Sequence, residues 1–185
     1  MVRAGLGYLA AADAARLPAA VQAECLRELE RHDAAATAVR AGFLAAFTAG
    51  QGPAGDGDYS AVSWLMHRTG ITKGAAVGHS AWARRAATHP RVIAALAAGQ
   101  VPESVGRVIC LWTGKLPQEH RDAADEQLLA AFAGGLGLAD LAGLFAEMYV
   151  RARGDLPDQD AGGSSPTGRS SWPPPSAAPA WCTGT

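Results

Sequence analysis

A run of regularly spaced apolar residues downstream of Pro18 constrains the fold more than any other feature of this chain. From Val21 to Phe47 the apolar positions recur every three or four residues, which is the period of one face of an α-helix. Proline is well tolerated where a helix begins, so we predict a helix from Ala19 to about Ala49. The stripe on this helix consists of Val21, Cys25, Leu29, His32, Ala36, Val39, Phe43 and Phe47.

The predicted helix would be about 45 Å long at roughly 1.5 Å per residue, which exceeds the average for globular proteins. A helix of this length either packs along the rest of its own domain or pairs with a second copy of the chain. Packing within the domain is the preferred hypothesis, and a homodimer through this helix is the alternative.

Composition favours an all-α fold for the whole chain. Hydrophobic residues make up 49% of the 185 residues, but alanine dominates them and aromatic residues contribute only 6%. Small side chains let helices pack closely. We therefore predict a long N-terminal helix packed on a helical bundle that contains a helix-turn-helix.

Three features of composition predict a cytoplasmic protein. No run of about 18 apolar residues indicates a membrane span. The weakly apolar N-terminus is interrupted by Asp13 and Arg16, which is not typical of a signal peptide. The three cysteines, Cys25, Cys110 and Cys182, are odd in number and far apart, which favours a reducing compartment over a disulfide framework.

Glycine and proline divide the rest of the chain into shorter helices and a tail. The segment "AGQGPAGDGDYS" is a predicted loop, and a proline disfavours helix at the residue before it, as in "THP". We predict a helical domain over residues 1–153, divided into 1–50, 58–113 and 117–152, and a disordered tail over 154–185. The further helices are predicted at Ala61 to about His67, Lys73 to Ala87, Arg91 to Ala98, Glu103 to Thr113, Gln118 to Ala133 and Leu138 to Arg151.

Charge is distributed unevenly along the chain. The 44 residues from Tyr59 to Pro102 contain no aspartate or glutamate, yet they carry five lysine and arginine residues. Since the net charge is −1, the remainder of the chain stands at −6. A localised basic surface of this kind is typical of proteins that bind polyanions. The cations are Arg68, Lys73, Arg84, Arg85 and Arg91, joined by His67, His79 and His89.

Within this basic window the pattern of helix, glycine turn and helix around Gly70 predicts a DNA-binding helix-turn-helix. Trp64, Leu65 and Ile71 are expected to be buried under the turn, with Ala76 and Val77 as inner positions of the second helix. In such motifs the second helix enters the major groove, and its first residues reach the bases. The base-facing candidates are Thr72, Lys73, Gly74, Gly78 and His79, and the phosphate-facing candidates are Arg68, Arg84 and Arg85.

Plain helical packing is an equally open explanation of the same pattern. Gly74 and Gly78 each cost a helix about 1 kcal/mol relative to alanine, and they offer no side chain to read a base. Any helical hairpin with a glycine turn has this appearance. The absence of aspartate and glutamate from Tyr59 to Pro102 favours the DNA-binding explanation.

The sequence predicts no catalytic, metal or cofactor site. The five histidines form no His-Glu-x-x-His pattern, and none lies beside a cysteine at ligand spacing. Phosphate-binding and dinucleotide-binding glycine motifs and the nucleophile elbow are likewise missing. "GGLG" follows a predicted helix and indicates its end. We therefore expect a protein that is not an enzyme and needs no cofactor.

Two family resemblances bear on these patterns. The run from "TGITKG" to "VICLW" resembles the DNA-binding region of ParB-type partition proteins over about 45 residues, with "HPRVIAALAAGQVPES" after the turn and second helix. Residues from about Leu17 to Asp160 resemble domain of unknown function 222, the 13E12-repeat family. That domain forms the N-terminal part of actinobacterial HNH-endonuclease-like proteins. The matching segments are "LPAAVQAECLRELERHDAAATAVRAGFLAAF", "SWLMHRTGITKGAA", "HPRVIAALAAGQVPESVGRVI" and "YVRARGDLPDQD".

The second resemblance implies a function for the helical domain. Complete members of that family end in an HNH nuclease module, whose residues hold a metal and activate water. No such module follows in this chain, so we expect a non-catalytic module. Where relatives carry several arginines after the turn, this chain has Val77, Gly78 and His79.

The C-terminal segment departs in character from everything before it. Back-translating "TGRSSWPPPSAAPAWCTGT" with G/C-leaning codons and reading one nucleotide earlier gives "DRSVELATTFGGAGVVHGDL", which has the pattern of a β-hairpin. We hypothesise that a frameshift near Ser164 replaced the natural continuation. Trp172, Trp181 and Cys182 would then have no structural role. The alternative is a genuine disordered proline-rich tail.

The preferred hypothesis from the sequence is a non-catalytic, DNA-binding N-terminal module of a truncated HNH-endonuclease-like protein. The alternative is a helical interaction or dimerisation module that uses the apolar stripe of the long helix and binds no nucleic acid. No membrane and no small-molecule partner is expected for either.

Overall fold

The chain forms an all-α fold in the computed structural model, which describes residues 2–154, with side chains from residue 4 onward. A short 3-10 turn over Ala14–Arg16 separates the first two helices. The predicted tail, with Trp172, Trp181 and Cys182, lies outside the described residues. In chain order the helices are α1 Val2–Ala11, α2 Ala19–Ala49, α3 Gly52–Gly55, α4 Ala61–Thr69, α5 Lys73–Thr88, α6 Pro90–Ala97, α7 Glu103–Thr113, α8 Gln118–Ala133 and α9 Leu138–Gly154.

The helix predictions are confirmed from Ala19 onward, with ends that coincide or differ by at most three residues. The sequence did not predict α1 or α3. Local signals explain the confirmed boundaries. The side chain of Ser60 accepts a hydrogen bond from the Ser63 N–H at 3.1 Å and caps α4. Gly70 ends that helix with a φ of 71°, a left-handed conformation that glycine adopts without steric cost.

The long helix α2 is the element around which the others are arranged, and it packs against α5 and α6. None of the helices among residues 2–154 is both long enough and apolar enough to cross a membrane. The main core lies between the second half of α2 and helices α5 to α9. Its buried residues are Ala34, Ala38, Ala41, Trp82, Val92, Ala95, Leu96, Val101, Val105, Ile109, Cys110, Leu116, Ala124, Leu128, Leu141, Phe145 and Ala152.

A second, smaller cluster joins the end of α2 to α4 and α5. Its buried residues are Leu44, Ala61, Leu65 and Ala76. The rings of Phe47 and Trp64 lie against it with their centroids 4.7 Å apart. This cluster fixes the position of the α4–α5 pair relative to the long helix.

The predicted buried stripe on α2 is wrong, although the helix itself is confirmed. Val39 is 56% exposed and Phe43 is 77% exposed, whereas the alanines at 34, 38 and 41 are buried. Phe43 follows Ala34 by nine positions, so at roughly 100° per residue it lies on the opposite side of the helix. Helices α5 and α6 approach α2 over its alanines, because small side chains allow close contact between helices. Val39 and Phe43 are left on the outer side.

Candidate nucleic-acid interface

Helices α4 and α5, joined at Gly70, have the helix–turn–helix order that the sequence predicted. Leu65 and Ala76 are buried between the two helices, and Ile71 is half-buried beside them, as expected. Val77 was expected to be an inner position, and that expectation is wrong, because Val77 is 45% exposed. It lies on the solvent side of α5, one position after the buried Ala76.

Thr72 caps the start of α5, since its side-chain oxygen accepts a hydrogen bond from the Ala75 N–H at 3.4 Å. Thr72, Lys73 and Gly74 are all exposed. The N–H groups of a first helical turn have no partners within the helix, and they carry partial positive charge. The start of α5 is therefore an exposed, positively polarised end.

Lys73 and Arg84 lie on one exposed face of α5, together with Val77 and Ser80. The spacing of four, three and four residues places these side chains on the same side of the helix. Arg84 donates a hydrogen bond from Nη1 to Ser80 Oγ at 3.1 Å. Among the described residues, no carboxylate lies within 4 Å of either cation. This surface, defined by Lys73, Val77, Ser80 and Arg84, is the α5 outer face.

Arg85 points away from that face although it is adjacent to Arg84 in sequence. Its guanidinium carbon lies 5.0 Å from the ring centroid of Trp82, and the residue is half-buried. Trp82 in turn donates its indole N–H to Glu103 Oε1 at 2.6 Å. Arg85 therefore packs toward α7, engaged in a cation–π contact.

Arg68 and His67 are held by the loop that precedes α4. Arg68 Nη2 donates to the backbone oxygen of Asp56 at 2.9 Å. His67 Nδ1 lies 2.8 Å from Asp58 Oδ1. The carboxylate of Asp56 accepts a hydrogen bond from the indole of Trp64 at 2.6 Å. Two acids that lie just outside the basic window in sequence therefore lie beside its first cations in space.

His79 faces α2 and is half-buried. Burial and the positive charge of Arg40 on α2 lower the pKa of His79 below its usual range. His79 is therefore uncharged at neutral pH. Arg40 is exposed, and no described carboxylate lies within 4 Å of it. It adds a cation beside α5 that the sequence analysis did not identify.

Arg91 is the clearest case of a cation neutralised by tertiary structure. Its Nε lies 2.8 Å from Asp122 Oδ2, and its Nη2 lies 3.3 Å from Glu126 Oε2. Both acids are on α8, one helical turn apart. Although the basic window contains no acidic residue in sequence, acids from another helix therefore lie on the same surface of the folded chain. Only the packing of α8 against α6 could reveal this pairing.

A buried polar cluster, defined by His89, Thr113 and Asp125, lies behind the basic window. Asp125 is fully buried, and it accepts hydrogen bonds from Thr113 Oγ1 at 2.6 Å and from His89 Nδ1 at 2.9 Å. His89 joins α5 to α6, while the other two residues lie on α7 and α8. The cluster thus ties the end of α5 to the main core. Next to it, burial first and the Asp125 carboxylate second raise the pKa of Cys110 to about 12.

The structure therefore divides the seven residues that the sequence predicted as a DNA-binding site. Thr72, Lys73, Gly74 and Arg84 are exposed on α5, while Arg68, His79 and Arg85 contact other parts of the chain. Within residues 2–154, no three His, Cys, Asp or Glu side chains are grouped as metal ligands.

Comparison with known proteins assigns no function to this site. No protein-family model, curated protein or solved structure matches the chain.

Proposed function

We propose that the helical domain binds duplex DNA through the α5 outer face. The observation that carries the proposal is the distribution of ion pairs. Arg91 is neutralised by acids, Arg68 is bound to a backbone oxygen and Arg85 is stacked on a tryptophan. Lys73 and Arg84 have no acid within 4 Å among the described residues, and they remain exposed on one helix face.

The dimensions of α5 support this assignment. Lys73 and Arg84 are eleven positions apart, which corresponds to roughly 16 Å along a helix. A helix with its side chains is about 10–12 Å across, and the major groove of B-DNA is about 12 Å wide. With α5 in the groove, cations near its two ends would reach phosphates on either side of it.

The same face offers few groups that distinguish one base pair from another. Gly74 has no side chain, Val77 is apolar, and the Thr72 oxygen already accepts a hydrogen bond from the backbone. Phosphate contacts position a protein on DNA without reading its sequence. We therefore expect binding with weak sequence preference. The proposed role is binding without catalysis, in keeping with the resemblance to the N-terminal domain of HNH-endonuclease-like proteins.

The salt dependence of DNA binding tests the proposal. The affinity of the full chain for a fluorescent duplex is measured by anisotropy at several salt concentrations. Each phosphate contact contributes about 0.9 to the slope of log K against log salt, so Lys73→Ala with Arg84→Ala should lower that slope by about 1.8. Lys115→Ala is the matched control, since Lys115 is an exposed cation in the α7–α8 turn with no ion pair among the described residues. It should leave the slope unchanged.

Arg85→Ala separates this proposal from a general attraction of positive charge. Because Arg85 is stacked on Trp82, its removal should change the slope by much less than one phosphate contact. Failure to bind at low salt, or equal losses for Lys115→Ala and the Lys73–Arg84 double variant, would contradict the assignment.

A second candidate function is protein–protein interaction through the outer side of α2. The exposure of Phe43, at 77%, is the observation that favours it. Soluble proteins tolerate single exposed apolar residues, but contiguous apolar patches mark binding surfaces. Val39, one helical turn before Phe43, is exposed as well.

A further inference from the structure

The outer side of α2 carries apolar residues that no other part of residues 2–154 covers. Val39 and Phe43 are exposed, and Ala36, Gly42 and Ala46 around them are small and also exposed. The only charged residue between positions 34 and 50 is Arg40. This surface, defined by Ala36, Val39, Phe43 and Ala46, is the α2 outer stripe. A flat helix face of small residues with one large projecting ring is shaped for another helix.

An open apolar cleft lies farther along the same side of α2, between that helix and α1. Its volume is about 550 Å³. Leu6 and Leu9 of α1 line one wall, and Leu29 and His32 of α2 line the other. The two leucines of α1 are still 45% and 44% exposed, because α1 does not close over the cleft. The cleft can therefore take up an apolar side chain from outside.

Two unpaired charges of opposite sign flank the stripe. Asp33 and Arg40 are exposed and are seven positions apart, or about two helical turns, so they lie along the same edge. No described residue of opposite charge lies within 4 Å of either. In contrast, Arg27 and Arg31 in the first half of the same helix both form ion pairs with glutamates one turn away. Asp33 and Arg40 are thus unpaired charges at the edge of the unpartnered face.

We propose that a second copy of the chain packs antiparallel on α2 and inserts its Phe43 into the α1–α2 cleft of the first. The axis of two-fold symmetry passes level with positions 37 and 38. In this register Phe43 faces the partner's His32, at the mouth of the cleft, and Ala36 faces the partner's Val39. Asp33 lies two positions, or roughly 3 Å, from the level of the partner's Arg40, a distance that the long arginine side chain can span, and by symmetry the same holds for Arg40 and the partner's Asp33.

Self-complementarity is what identifies a second copy as the occupant. A two-fold interface uses the same surface on both chains, so every projection must find its hole on that surface. Here the projecting Phe43 and the cleft at His32 lie about 16 Å apart on one helix, at roughly 1.5 Å per residue. The same axis brings Asp33 to within roughly 3 Å of the level of the partner's Arg40, at about 1.5 Å per residue. When two helices pair along apolar stripes that recur every three or four residues, the charged residues beside the two stripes come close to each other.

This inference rests on the second candidate function and is independent of DNA binding. The full chain is studied by sedimentation equilibrium from about 1 µM to about 1 mM. We expect a monomer–dimer equilibrium, and Phe43→Asp should raise the dimer dissociation constant by at least about 30-fold, as for a central interface residue. Leu111→Asp is the matched control, since it places the same charge at another exposed apolar helix position, on α7, and should leave the constant unchanged.

Charge exchange tests the register. Asp33→Arg and Arg40→Asp should each weaken the dimer, because each places like charges together, and the double variant should restore it. A chain that stays monomeric over the whole range would overturn the proposal, and so would a double variant as weak as the single ones. Circular dichroism checks that every variant keeps the helical content of the parent chain.

Photo-cross-linking tells whether only self-pairing through α2 is wrong or the protein–protein interaction role of α2 is wrong as well. With p-benzoylphenylalanine in place of Phe43, the purified chain should form a cross-link to the α1–α2 segment of a second copy. A cross-link only to another protein in a cell lysate would overturn self-pairing and retain an interaction role for α2. No cross-link in either case would remove both.

Discussion

Replacing Asp125 by alanine perturbs the buried polar cluster that ties α5, α6, α7 and α8 together. Asp125 accepts hydrogen bonds from Thr113 Oγ1 and His89 Nδ1, and all three side chains are almost completely buried. After the substitution, the Thr113 hydroxyl can still donate to the backbone oxygen of Ile109, which lies 3.0 Å away. The Nδ1 of His89 has no other side-chain acceptor closer than the Thr113 oxygen at 3.4 Å.

The expected cost follows from the groups that lose their partners. Asp125→Ala removes the acceptor of two buried donors, and only the Thr113 hydroxyl has another acceptor within 3.0 Å. A lost hydrogen bond costs about 0.5–1.5 kcal/mol and a buried donor left without an acceptor about 1–3 kcal/mol, so we expect this variant to lower the free energy of unfolding by about 2–4 kcal/mol. Because a domain is stabilised by only about 5–15 kcal/mol in total, this loss would be large.

Asp125→Asn distinguishes the hydrogen bonds of this residue from its side-chain volume. The amide oxygen can accept from His89, and the amide N–H can donate to Thr113, whose hydroxyl then donates to Ile109. We expect a loss of about 1 kcal/mol for this variant, since all the buried groups keep partners. The free energies are measured by urea unfolding of the full chain, followed by far-ultraviolet circular dichroism.

Asp122→Ala is the matched control for the same helix. Asp122 is an exposed acid paired with Arg91, and surface ion pairs contribute only about 0–1 kcal/mol. The reasoning is refuted if Asp125→Ala costs no more than this control. It is refuted equally if Asp125→Asn is as damaging as Asp125→Ala.

Two further predictions concern Cys110 and Gly52. The pKa of Cys110 is raised from 9.0 to about 12, so the unfolded state ionises this thiol first and the free energy of unfolding should fall as pH rises from about 9 toward 12. At roughly 1.4 kcal/mol per pH unit, the free energy of unfolding would fall by about 4 kcal/mol in total over this range. Denaturant unfolding is measured across this pH range. Cys110→Ala should abolish the fall in the free energy of unfolding that this thiol causes, and Cys25→Ala should keep it. Equal falls for the two variants would contradict the burial of the Cys110 thiol. A Cβ at Gly52 would overlap the ring of Phe47, so Gly52→Ala should lower the free energy of unfolding by about 1–3 kcal/mol. Gly55→Ala in the same helix meets nothing within 4 Å and should cost nothing in a thermal melt; equal melting temperatures for the two variants would refute the clash.

The secondary structure could be predicted from the sequence because local chemistry determines where most of these helices begin and end. Pro18, Pro102 and Pro117 each come directly before a helix, and Gly70 ends one with a positive φ. Such signals act within a few residues, so a single sequence contains them in full. Helix α1 was missed because its short, glycine-containing sequence carries neither a proline nor a capping residue at its start.

The candidate site could be predicted only in part. The exposed start of α5 and the exposure of Arg84 follow from helical periodicity once the turn at Gly70 is recognised. The neutralisation of Arg91 does not, because Asp122 and Glu126 come from a helix about thirty residues later. Arg84 and Arg85 are neighbours in sequence, yet only the position of Trp82 against α7 decides that Arg85 is taken up by a ring.

The sequence by itself determined that the chain is helical and where most of its helices lie, because helix formation depends on period, capping and chain breakers that act locally. Tertiary structure decided which side of the long helix α2 is inside. On α2 the pattern of large apolar residues indicated one face, and the core formed on the other, because alanines let α5 and α6 approach closely. The same packing decided which cations are paired and which remain exposed, since electrostatic partners are set by distance in space and not by distance along the chain.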